Sequence, residues 1–231
     1  MLRRAALPLL LALAVPSLAF AAHAYGESVV ERTLDNGFKL ILLEDHKAPV
    51  AVVQVWYRVG SRNEIPGLTG LSHMLEHMMF KGTKAHGPED YSRIIARIGG
   101  NENAFTSDDA TTYFATLAAD RIGVEIDLEA DRMRNLVLSD ATFEPERKVV
   151  MEERRLRVDD NPIAFMQETL DAATFLEHPY RQPTIGWATD IAGWKLADLQ
   201  AHYDRYYQPN NAFLVAVGDF DAQQLGDLAS Q

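Results

Sequence analysis

The residues best placed to do chemistry are His73-Met74-Leu75-Glu76-His77. On a helix, His73 and His77 lie four positions apart and project from one face about one turn apart, so both imidazoles can reach one Zn²⁺. Glu76 falls about 60° from His73 and about 100° from His77 around that helix, close enough to bond a water held by the metal without binding the metal itself. A catalytic zinc ordinarily takes three protein ligands and keeps one position for water, so a third His, Asp or Glu must come from elsewhere.

The sequence contains no cysteine. Disulfides, thiolate ligands and a Cys nucleophile are therefore excluded, and any metal must sit on His and carboxylate groups. A helix running from Pro145 to Val158 offers the third ligand. With Glu146 at 0°, Val149 falls at about 300°, Val150 at about 40°, Glu153 at about 340° and Leu156 at about 280°, one stripe about 120° wide. Arg147, Lys148, Glu152, Arg154 and Arg155 take the opposite arc. Carboxylates inside an apolar stripe are costly to bury unless a cation compensates them. Glu153 is thus the better ligand candidate and Glu146, two turns earlier, a supporting carboxylate.

These residues need a framework. Val29 to Leu34 and Phe38 to Leu43 flank Asp35-Asn36-Gly37, a hairpin signal, and Ala51 to Tyr57 forms a third strand. A loop over residues 60–70 precedes a helix over Leu71 to Phe80, and a second helix spans Glu89 to Ile98. A hairpin of Asn103 to Ser107 and Thr111 to Leu117 follows, then helices at Ala119 to Leu136, Pro145 to Val158, Ile163 to Phe175 and Leu196 to Tyr207, and a last strand at Ala212 to Val217. This order predicts an α+β layer sandwich, an antiparallel-rich sheet layered with helices, in one mature domain of residues 25–231. His46, His86, His178 and His202 lack helical partners and read as surface or loop residues. Asp159-Asp160-Asn161-Pro162 reads as a helix stop and N-cap, Ser72 as a helix N-terminal residue, and Trp56, Trp187 and Trp194 as packing residues.

Arg3 and Arg4, the apolar run Leu7 to Phe20 and the small-residue triplets ending at Ala21 and Ala24 read as a secretory signal peptide over residues 1–24, which predicts export to a periplasmic or extracellular space. The whole chain carries a net charge of −11, and removing residues 1–24 leaves 20 basic and 33 acidic side chains, a net charge of −13. Such a field repels nucleic acid phosphates. No stretch of the mature chain has membrane-spanning length.

Gly60-Ser61-Arg62-Asn63-Glu64, Gly70, His73 to His77, Phe80-Lys81-Gly82-Thr83, Asn103-Ala104-Phe105-Thr106 and the Glu-rich helix to Glu153 together resemble the pitrilysin and insulysin family of inverted zinc peptidases, which includes the mitochondrial processing peptidase. The likeness runs from about Val29 to Asp219, and H-x-x-E-H is the reverse of the more widespread zinc peptidase order. The resemblance implies one Zn²⁺ per chain on His73, His77 and Glu153, Glu76 as general base, and Glu146 as a carboxylate behind the ligands. It implies a peptide substrate paired along the edge segment of Asn103, Ala104 and Phe105. Family members are clamshells of two homologous halves, the second supplying Arg and Tyr side chains that hold substrate, so the expectation is a first half that works with a homologous C-terminal half or partner subunit. The expected function is that of a zinc-dependent endopeptidase domain acting on peptides or unfolded segments. The alternative is a non-catalytic scaffold subunit resembling the core subunits of the respiratory cytochrome bc complex.

Overall fold

The computed structural model describes residues 29–231, so the expected signal peptide lies outside the described residues. Six strands form one mixed sheet: β1 (Val30–Thr33), β2 (Lys39–Glu44), β3 (Val50–Tyr57), β4 (Asn101–Thr106), β5 (Thr111–Ala118) and β6 (Ala212–Gly218), in the order β1-β2-β6-β3-β5-β4. Only β2 and β6 pair in parallel; every other pair is antiparallel, as the predicted sheet requires. The period-2 alternation sets which face is buried. Ala51, Val53, Val55 and Tyr57 of β3, Tyr113 and Leu117 of β5, and Leu214 and Ala216 of β6 all point into the core. Tyr57 stacks on Tyr207 with ring centroids 4.0 Å apart, and the Tyr113 and Tyr207 hydroxyls share a 2.7 Å hydrogen bond.

The helices are α1 (Leu71–Met78), α2 (Asp90–Arg97), α3 (Ile122–Asn135), α4 (Asp140–Arg154), α5 (Pro162–Thr174), α6 (Ala188–Gly193), α7 (Leu196–Tyr206) and α8 (Ala222–Leu228), of which α1, α2, α3 and α8 make the main contacts with the strands. α1 drives Met74, Leu75 and Met78 into the core, where Phe143 and Val150 of α4 belong to the same cluster. The start of α1 is tightly fixed. Gly70 sits at φ +86°, the Glu64 carboxylate accepts hydrogen bonds from Gly70 N at 2.6 Å and Ser72 N at 2.7 Å, and the Trp194 indole donates to Thr69 O at 3.0 Å. Burial lifts the Glu64 pKa to about 8, against the pull of those two amides.

A Cβ added at Gly70 would stand 2.5 Å from Ile185 O, in a backbone region that L-residues avoid. Gly70→Ala is therefore expected to cost more than about 1 kcal/mol and to lower the thermal midpoint of unfolding. An unchanged midpoint would show that the segment before α1 gives way without cost.

The α4 helix differs from its expected form in three respects. It begins at Asp140 rather than Pro145: Phe143 N donates to Ser139 O at 2.8 Å, and the fully buried Phe143 anchors a first turn that precedes the proline. Its buried face is Phe143, Glu146, Val150 and Arg154, while Val149 and Leu156 are 49% and 58% exposed. Arg154, expected in solvent, is buried because its guanidinium forms a bidentate pair with Glu168, both bonds 2.8 Å, and donates to Gly186 O at 2.7 Å. Beyond Arg154 the chain makes a π-helical turn over Arg155–Asp159, which displaces Leu156 from its straight-helix angle. Asn161 then caps α5 as predicted, accepting from Ile163 N and Ala164 N. The short helices α6 and α8 were not expected from the sequence.

Candidate active site

α1 and α4 pack against one another, and the contact brings together the residues named from sequence. His73 and His77 both turn toward Glu153, whose Oε2 lies 3.7 Å from His73 Nε2 and 3.3 Å from His77 Nε2. One donor atom from each of the three residues falls within 4.8 Å of the others, the one such group among the described residues. Donors placed tetrahedrally around a zinc, at bond lengths near 2.0 to 2.1 Å, stand about 3.4 Å apart. The spacing and the His₂Glu chemistry therefore fit a Zn²⁺ site. His73 Nδ1 is buried without a hydrogen-bond partner, whereas His77 Nδ1 donates to Glu146 Oε1 at 2.8 Å. That bond holds the His77 ring and aims Nε2 at the position shared with Glu153.

The electrostatics suit metal binding. Burial and the neighbouring charge of His77 depress the His73 pKa to about 4, so its ring is neutral. For His77, desolvation is outweighed by hydrogen bonds to Glu146 and Glu153, and the pKa rises to about 9. A divalent cation and this proton compete for the same electron pair, so metal uptake should release a proton. The bond to His77 holds the Glu153 pKa down, and bonds to His77 and Lys81 overcome desolvation to do the same at Glu146. Both remain anionic.

Glu76 stands outside this donor group. Desolvation raises its pKa, and Thr106 Oγ1 donates to its Oε2 at 2.5 Å. A carboxylate with a raised pKa beside the metal position is what a general base near neutral pH requires. These groups form one wall of a cavity of about 680 Å³. A second wall is β4, a sheet edge that pairs only with β5. Ala104 N–H points outward there and is met only by its neighbour's side chain, Asn103 Oδ1, at 2.8 Å. The Phe105 ring lies on the opposite face of the sheet, edge-on to Trp56 at 5.6 Å.

Several groups around the site were given no role from sequence. Thr106 orients Glu76, Lys81 Nζ bonds Glu146 Oε2 at 3.0 Å, Arg157 Nη1 bonds Glu153 Oε1 at 2.9 Å, and residues 180–185 close the far side of the cavity. The Thr106 and Lys81 contacts and residues 180–185 act across the fold, which periodicity does not encode, whereas Arg157 lies at i,i+4 from Glu153. Ser72 does open α1, as expected, but His202 is buried rather than at the surface. It shares a 3.1 Å hydrogen bond with Ser72 Oγ, which satisfies one ring nitrogen inside the core.

Residues 39–187 match the family described as insulinase, peptidase family M16, and residues 193–231 match the peptidase M16 inactive domain. The zinc protease PqqE of Helicobacter pylori is 39% identical over 200 residues, covering 86% of this chain and 45% of that protein. The mitochondrial-processing peptidase subunit beta of Lentinula edodes is 31% identical over 199 residues, covering 86% of this chain and 42% of the relative. The crystal structure of a protease from Helicobacter pylori superposes with a TM-score of 0.86 at 38% identity, covering 88% of this chain and 49% of that one. The chain spans about half the length of the curated relatives it matches.

Proposed function

The chain belongs to the insulinase family of peptidases, peptidase family M16, and from that premise we propose that it is the zinc-dependent catalytic domain of an endopeptidase cutting peptides or unfolded segments. The observation that carries the proposal is the convergence of His73, His77 and Glu153 on one point with Glu76 beside them but outside the donor set. His73, His77 and Glu153 would hold the zinc, which would supply Lewis-acid polarisation of the scissile carbonyl and a lowered pKa for water. Glu76 accepts the proton of the attacking water and returns it to the leaving amine, while the Thr106 hydroxyl holds the carboxylate in position. Glu146 holds the His77 ring. The substrate backbone lies along β4, where an extended peptide displaces Asn103 Oδ1 from Ala104 N–H.

Residues 1–24 would direct export, and among the described residues no helix is long and apolar enough to cross a membrane. A homologous second half or partner subunit completes the cleft. Pairing along β4 supplies a few hydrogen bonds at about 0.5 to 1.5 kcal/mol each, too little to hold a flexible peptide in a reactive pose. Residues 25–231 alone are thus expected to bind about one zinc per chain and to hydrolyse peptides slowly, with a marked gain on adding a separately produced second half from the same genome. The check is metal analysis together with hydrolysis of a fluorogenic peptide. Fast, zinc-dependent turnover by the lone monomeric chain would overturn the need for a second wall; a chain that takes up no zinc would overturn the proposal itself.

A further inference from the structure

The segment Phe80-Lys81-Gly82-Thr83 joins the end of α1 to the turn before α2 and contributes no group to the donor set, yet it is anchored at each residue. Phe80 packs edge-on to Tyr91 at 5.7 Å, with the buried Arg132 guanidinium 5.3 Å from its ring centroid. Gly82 sits at φ +105°, where an added Cβ would stand 2.8 Å from His86 O. The Thr83 hydroxyl donates to Asp131 and accepts from His86 N at 3.1 Å, while Thr83 N donates to His86 O at 2.7 Å. Lys81 N donates to Met78 O at 2.9 Å. The backbone on both sides of Lys81 is pinned, and the one side chain it sends toward the site is the ammonium.

That ammonium lies 3.0 Å from Glu146 Oε2, and Glu146 Oε1 takes the His77 Nδ1 proton at 2.8 Å. The two oxygens of Glu146 are divided between two partners, so the carboxylate cannot rotate without losing one. The side chains are 24% and 10% exposed, which leaves little water to replace a lost partner. Glu76, Glu146 and Glu153 crowd three carboxylates around two imidazoles, and Lys81 is the cation on the far side of the second of them. We infer that Lys81 is a positioning residue of the zinc site, acting on His77 through Glu146. It keeps Glu146 turned toward Nδ1, so that Nε2 stays aimed at the position shared with Glu153, where a metal would displace its proton. Its ammonium also binds Glu89 Oε1 at 3.2 Å, on a side chain 62% exposed, a pair that steadies the stem and does not reach the site. The inference rests on the reading of His73, His77 and Glu153 as zinc ligands.

The test is zinc affinity by competition with a chromophoric chelator, on the full chain, with circular dichroism and the metal-free unfolding midpoint reporting the fold. Removing a partner behind a metal ligand ordinarily weakens binding about 10–100-fold, and a group one bond further out belongs at the low end. Lys81→Met and Lys81→Gln are expected to bind zinc about tenfold more weakly than the parent, and Lys81→Arg to recover most of the loss. The deciding arm is the pair with Glu146→Gln: in that background Lys81→Met should change zinc affinity no further, because the path to His77 is already cut. Parent-like affinity in both Lys81→Met and Lys81→Gln, or an equal loss with and without Glu146→Gln, would overturn the inference while leaving the ligand reading intact. A parent chain that binds no zinc would instead overturn the ligand reading.

Discussion

Glu76→Gln is expected to keep its zinc and lose peptide hydrolysis by a factor of about 10²–10⁴, measured on the chain together with the second half proposed above. Gln has the shape of Glu, can still bond the Thr106 hydroxyl, and cannot accept a proton. Glu76 is outside the group formed by His73, His77 and Glu153, so the substitution leaves the donors in place. Its carboxylate is held by Thr106 at 2.5 Å and carries a raised pKa through desolvation, which is the environment of a group that exchanges protons. Metal content and turnover must be measured on the same preparation. Loss of zinc in step with activity would place Glu76 among the ligands and leave the reaction without the base assigned here.

Much of the framework was legible because it is local. Asn36-Gly37 turns the first hairpin, with Gly37 at φ +85°, and the alternation in residues 51–57 marks the buried face of β3 directly. His73, Glu76 and His77 lie within one helical turn, so their relation follows from helix geometry alone. The third candidate ligand was harder. The stripe through Glu146, Val150 and Glu153 does face the two histidines, yet the same projection put Val149 and Leu156 inside and Arg154 outside. What turned the helix was a set of distant partners: Glu168 on α5 and Gly186 O draw Arg154 inward, and no period within α4 reports them. The parallel pairing of β2 with β6 joins residues 39–44 to residues 213–218, and a pairing so distant in sequence leaves no mark in either strand. Lys81 and Thr106 fall in the same class: each stands in a segment quoted for its likeness to the family, but its partner, Glu146 or Glu76, becomes visible only when α1, α4 and β4 are packed together.

The larger loss should come from the ligands themselves. His73→Ala and His77→Ala each leave two donors where three are needed, and neither cavity offers water the fixed imidazole geometry that selects zinc. Each variant is expected to lose stoichiometric zinc and, with it, all zinc-dependent hydrolysis. The two should nevertheless differ in what they leave behind. His77 carries the Glu146 bond and lies 3.3 Å from Glu153, so removing it strands one buried and one half-buried carboxylate, with Lys81 and Arg157 as their remaining cations. His73 has no partner on Nδ1 and only a 3.7 Å approach to Glu153, and its neutral ring can be removed at little electrostatic cost. The metal-free His77→Ala chain should therefore unfold at a lower temperature than metal-free His73→Ala. Glu153→Gln completes the set: an amide oxygen is a poorer zinc donor than a carboxylate, so this variant should weaken zinc binding where Glu76→Gln does not. Equal zinc affinity in the two glutamine variants would remove the distinction between ligand and base, and stoichiometric zinc in His73→Ala and His77→Ala would place the metal elsewhere in the molecule.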